Sequence, residues 1–203
     1  MKPGEDRTRR DGVALLLIDF INPMDFEGSE RLLDGARAAA RVALKLRTVA
    51  DELDIPTIYV NDNHGHWHSE RSQIVERCAS AQNPASEMVR ALAPRSSDYF
   101  VVKPHLSGFY ATSLPVLLPK IGATRLVLTG VAADICVLFT AADAHMRDYE
   151  LWIPRDAVAS EEDARTDWAL GIMKDSMDAR VEPTTRLTLN EWACRPIASV
   201  ASV

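Results

Sequence analysis

"TRLVLTGVAADICVLFT" (residues 124–140) carries the reading that decides the fold. Residues 125–130 are a continuous apolar run that ends in Gly130, the pattern of a strand buried on both faces. From Cys136 onward, "CVLFTAADAHMRDY" (136–149) reads as a helix. A strand that feeds a helix through a short turn is half of a β-α-β unit, and such units build parallel sheets. The cysteine at that turn is one of only three in the chain.

Similar runs recur on both sides of this stretch: "VALLLIDF" (13–20), "TIYVND" (57–62), "YFVVK" (99–103) and "ELWIPRD" (150–156), with "DARVEP" (178–183) as a weak sixth strand. Helical segments lie between them. The segment 30–53 sets Leu33, Ala36, Ala40, Ala43, Leu44 and Leu46 on one stripe, and 112–120, 134–148 and 161–177 are helical in pattern. The alternation predicts an α/β protein with a mainly parallel sheet of five to six strands and helices on both faces. At 203 residues without repeats or a low-complexity linker, one domain over 1–203 is expected, with 1–11 a flexible polar tail.

Composition narrows the function classes. A formal charge of -6 without a basic stripe disfavours nucleic acid and anionic membranes as partners. No stretch approaches the roughly 20 apolar residues of a membrane span, and no apolar segment of a signal peptide precedes the first strand. Cys78, Cys136 and Cys194 lack CxxC spacing, which argues against a disulfide framework or a zinc ribbon. A cytoplasmic location is expected.

Open α/β sheets bind ligands beyond the C-terminal ends of their strands. There this chain sets Asp19, Asp62, Lys103 and Gly130, with Cys136 opening the next helix. A cysteine is most often a small buried hydrophobe. At a helix start, however, free N–H groups and the helix dipole favour a thiolate. Asp134 opposes this if it turns toward the sulfur, and Lys103 can supply a balancing cation. Asp19 ends a strongly apolar strand, and a carboxylate there needs a cation or takes up a proton. Together these groups suit a nucleophile with its base and charge partner. No GxGxxG follows the first strand, so nucleotide binding is disfavoured.

These residues resemble the isochorismatase-like cysteine hydrolases, which include nicotinamidases and N-carbamoylsarcosine amidohydrolases. The matching blocks are "LLLIDFINP" (15–23), "YVNDN" (59–63), "KPHLSGFYATSL" (103–114) and the long block from Leu126 to Ser160 around Cys136. The resemblance implies a three-layer α/β/α sandwich and the catalytic triad Asp19, Lys103 and Cys136. It further implies a cis peptide before Ala132 and an oxyanion hole from the N–H groups of Ala132 and Cys136. The implied reaction is hydrolysis of a C–N bond in a small amide, lactam or ureide through a thioester. The alternatives are isochorismatase-type ether hydrolysis and a catalytically idle member that binds a small ligand. Ile21 and Asn22 after Phe20 depart from the Gln-Asn common in nicotinamidases, and Asn22 becomes a candidate pocket residue.

The loop "NDNHGHWHSE" (61–70) allows two readings. Asp62 and His64 match the metal-binding Asp-x-His of nicotinamidases, with His66 or His68 as a third ligand; zinc, iron or manganese would be the ion. Alternatively the loop is a polar substrate wall, and the thiol chemistry itself requires no cofactor. Trp67, Phe109 and Phe139 are candidate apolar walls, with Phe139 also readable as core. A small-molecule substrate and a homo-oligomer, dimer or tetramer, complete the expectations.

Overall fold

Strand β1 (Val13–Ile18) is six apolar residues long and every one is buried. Successive side chains of a strand point to opposite faces, so β1 needs cover on both sides. Leu15 and Leu17 enter one core, whereas Ala14, Leu16 and Ile18 enter another. The computed structural model that shows this describes residues 12–66 and 69–195. Residues 1–11, Trp67, His68 and the "PIASVASV" end at 196–203 lie outside the described residues, as do the expectations attached to them.

In chain order, β1 is followed by α1 (Ser29–Glu52), β2 (Thr57–Asp62), α2 (Arg71–Cys78), α3 (Ser86–Ala91), β3 (Tyr99–Lys103), α4 (Leu114–Lys120) and β4 (Arg125–Val131). A π-helical turn (Ala133–Val137) then leads into α5 (Leu138–His145), β5 (Glu150–Trp152), a 3-10 turn (Arg155–Ala157), β6 (Val158–Ala159), α6 (Asp163–Met177) and α7 (Leu189–Ala193). The sheet order is β3-β2-β1-β4-β5, with β6 also on β4, and every pairing is parallel. One face is covered by α1, α2, α3 and α7 through residues such as Ala36, Ala43, Ile74, Val89 and Trp192. The other is covered by α4, α5 and α6 through Leu118, Ala141, Ala144, Ala169 and Met173. This is the expected α/β/α sandwich. No described helix is long and apolar enough to cross a membrane.

Two local readings are corrected. The segment 178–183 is no strand: Asp178 takes a left-handed conformation at the end of α6, and only Arg180 bridges to Trp152. The sixth strand is instead Val158–Ala159, too short for any alternation to show. The fifth strand also stops early, at Trp152, because Pro154 and the 3-10 turn follow.

Chain connections leave β1 toward β2 on one side, while β4 lies on its other side. The crevice at such a reversal is where open α/β sheets bind ligands. The β1–β4 pair is drawn close there by Gly130, which sits opposite Ile18 at φ 134°. A Cβ at Gly130 would lie 2.0 Å from the Ile18 carbonyl oxygen, so only glycine fits.

Candidate active site

Asp19 follows directly on β1 and has a left-handed backbone, φ 53°. Such a conformation in a non-glycine residue is uncommon, and Asp tolerates it better than most. Its own N–H is held by the Val60 carbonyl at 3.0 Å, and its Oδ1 accepts from the Asp62 N–H at 2.7 Å. The carboxylate is thus fixed between β1 and β2, nearly out of contact with water.

Lys103 ends β3 in register with Asp62. Its side chain is fully buried, and a buried ammonium must find acceptors. It has four neighbours: Asp19 Oδ2 at 2.9 Å, the His105 carbonyl at 3.1 Å, Asp62 Oδ2 at 3.3 Å and Cys136 Sγ at 3.4 Å. Burial works against its charge, but Asp19, Cys136 and Asp62 outweigh this and raise its pKa.

Cys136 lies in the π-helical turn after β4, and the Val131–Ala132 peptide before that turn is cis. The turn is closed by the Val137 N–H on the Ala132 carbonyl at 3.2 Å. Burial and then the Asp19 carboxylate push the thiol upward, and Lys103 only partly offsets them. The surroundings of the sulfur thus oppose the thiolate that its helix-start position favours. Asp19 and the sulfur share the Lys103 ammonium, at 2.9 and 3.4 Å. Asp134 does not turn toward the sulfur; its carboxylate is taken by Ser160 and Arg165.

Above these three residues opens a cavity of about 230 Å³. Asp19, Asp62 and Cys136 line its polar end with Ala132, while Phe26, Leu32, Val131 and Ile135 make apolar wall. Asn22, His64, Asp134, Glu161 and Arg165 complete it.

An isochorismatase domain is matched over residues 13–185, a span that includes Asp19, Lys103 and Cys136. The chain belongs to the isochorismatase family. It is 36% identical over 168 residues to the isochorismatase family protein YaaI of Bacillus subtilis strain 168, covering 83% of this chain and 92% of that protein. It is 27% identical over 151 residues to the maleamate amidohydrolase of Pseudomonas putida, covering 71% of each. Among solved structures, N-carbamoylsarcosine amidase from Thermoplasma acidophilum is similar at TM-score 0.67 and 27% identity, covering 87% of this chain and 99% of that one.

In this isochorismatase-family chain several sequence expectations are brought together and others are not. The three triad candidates converge, and Asn22 lines the cavity, its Oδ1 accepting from the Met24 N–H at 2.8 Å. Phe109 does not line it. That ring is buried in the core, 6.1 Å from the Tyr149 ring and beneath the Arg147 guanidinium. Phe139 is neither wall nor core but half exposed. Trp67 lies outside the described residues.

Asp62 and His64 are engaged with protein partners in this arrangement. Asp62 Oδ2 faces the Lys103 ammonium, and Oδ1 accepts from the His64 N–H at 2.7 Å. His64 Nε2 lies 3.2 Å from the Ile21 carbonyl. His66 is exposed, His68 lies outside the described residues, and among the described residues no three His, Cys, Asp or Glu side chains group as ligands.

The sequence reading missed Phe26, Leu32, Glu161 and Arg165. The stripe read over 30–53 passes through Leu33, whereas Leu32 is the residue that α1 buries. Glu161 and Arg165 are an i,i+4 charge pair around the start of α6, a pattern ordinarily read as a solvated face.

Proposed function

We propose that the protein is a cysteine-dependent amidohydrolase that cleaves a C–N bond of a small amide, lactam or ureide. The observation that carries this reading is one fully buried ammonium within 3.4 Å of both a carboxylate and a thiol at the floor of a cavity. Asp19 takes the Cys136 proton as the sulfur attacks the substrate carbonyl carbon, and the N–H groups of Ala132 and Cys136 receive the developing oxyanion. Asp19 then returns the proton to the leaving nitrogen, which departs as the C–N bond breaks and a thioester remains. Water, activated by Asp19, hydrolyses the thioester to the acid and restores the thiol. Lys103, in contact with both the Asp19 carboxylate and the Cys136 sulfur, offsets the negative charge as the proton moves between them. The maleamate amidohydrolase and N-carbamoylsarcosine amidase named among its relatives support C–N cleavage over ether cleavage.

A screen for ammonia release from small primary amides and ureides, with ring opening of lactams followed by mass, tests the reading. Hydrolysis by the wild type and its loss in Cys136→Ala are expected. Wild-type turnover in that variant would refute it.

A further inference from the structure

Arg165 stands in the first turn of α6, lines the cavity and is the feature that the reaction leaves unexplained. An arginine at a pocket wall invites the reading of an anchor for a substrate carboxylate. Its bonds point elsewhere. Nε donates to Asp134 Oδ2 at 2.6 Å, and Nη2 lies 2.5 Å from the same oxygen. The Asp134 side chain is almost wholly buried, so its charge requires this cation. Glu161, 3.9 Å from Arg165 Nη1, is itself held by Arg31 at 2.8 Å.

The second half of the contact is Ser160. Its hydroxyl donates to Asp134 Oδ1 at 2.6 Å and receives the Asp134 N–H at 3.3 Å, and its own N–H is held by Thr166 Oγ1 at 3.0 Å. Asp134 is therefore gripped at both carboxylate oxygens and at its backbone by the segment from Ser160 to Thr166. It is the second residue of the π-helical turn, two positions before Cys136.

We infer that Arg165 is a positioning residue that acts through Asp134: it locks the turn that presents the Cys136 sulfur and N–H to the substrate. The inference rests on the proposed cysteine mechanism. Small displacements of a reacting group cost rate rather than binding, and a shift of about 1 Å is enough for roughly a hundredfold. The lock also keeps the sulfur 3.4 Å from Lys103 Nζ, the group that favours its thiolate.

The test uses Arg165→Gln, Asp134→Asn and their double variant, with Arg155→Gln as a control. Arg155 pairs with Asp167 farther along the same helix, both half exposed. Kinetics are measured on an uncharged amide and a carboxylate-bearing amide of similar size, alongside the iodoacetamide alkylation rate of Cys136 and melting curves. Both single variants should lose about a hundredfold in kcat on either amide, with KM little changed. The double should be no worse than the worse single, since groups acting as one unit are not additive. Cys136 alkylation should slow in the same three variants as the sulfur leaves Lys103, and Arg155→Gln should match wild type. A KM increase confined to the carboxylate-bearing amide would make Arg165 an anchor and overturn the inference. Lower melting temperatures with unchanged kcat and alkylation would reduce the contact to a structural one. Should Cys136→Ala turn over amides like wild type, the cysteine mechanism itself falls, while the alkylation rates still decide whether Arg165 sets the position of the sulfur.

Discussion

At the residue scale, one carboxylate has two opposed effects. Asp19 raises the Cys136 thiol, and in the proposed reaction it is also the base that removes that proton. Replacing it with Asn therefore separates two observables. The second-largest cause holding the thiol up disappears, while Lys103, still partnered by Asp62, continues to lower it. The alkylation midpoint of Cys136 should move to lower pH, and iodoacetamide should react faster at pH 8 in Asp19→Asn than in wild type. Amide hydrolysis should meanwhile fall by about 100- to 10,000-fold, the usual worth of a general base. If alkylation and hydrolysis slow together, Asp19 does not act on the sulfur.

At the scale of elements, the β1–β4 pair sets the spacing of the site. Asp19 and the Cys136 turn leave neighbouring strand ends, held in register by Ile18 opposite Gly130. Gly130→Ala would force a methyl to within 2.0 Å of a backbone oxygen at a positive φ. A destabilisation above ~3 kcal/mol is expected in urea titration, since backbone cannot yield as a side-chain tip can. A midpoint near wild type would mean that the two strands pair differently. Most of these elements were legible because a strand buried on both faces must be apolar throughout, as "VALLLI" is. The convergence of Asp19, Lys103 and Cys136 was legible for the same reason: they stand at or just beyond the ends of such runs. What was not legible depends on phase and on partners distant in sequence. Phe139, readable as wall or as core, is half exposed, and Val158–Ala159 is defined only by its pairing with β4. Arg165 becomes a site residue only because Asp134, 31 residues earlier, buries its carboxylate beside it.

At the scale of the whole molecule, the C-terminal segment is tied back to the start of β4 by another buried cation. Arg125 donates to the carbonyls of Trp192, Ala193 and Arg195, the end of α7, where a positive charge also complements the helix terminus. Burial lowers its pKa, so the three carbonyls matter to its charge as much as it matters to them. Trp192 packs against Trp152 of β5, with ring centroids 6.1 Å apart. Arg125→Met fills similar volume but removes every donor. A loss of ~2–4 kcal/mol is expected, with red-shifted tryptophan fluorescence as α7 loosens. Unchanged emission would show that apolar packing alone holds α7. The site lies at the opposite end of β4, so the kcat of the folded fraction should be retained.

The central claim is that the reaction passes through Cys136, and the most direct measurement is intact-protein and peptide mass spectrometry on enzyme quenched during turnover of an amide that releases ammonia in the screen. The expected result is an acyl adduct on the peptide that contains Cys136, formed and lost at rates that account for turnover, with Cys78 and Cys194 unmodified and no adduct in Cys136→Ala. Sustained ammonia release with no adduct at Cys136, and with an undiminished rate in Cys136→Ala, would contradict it.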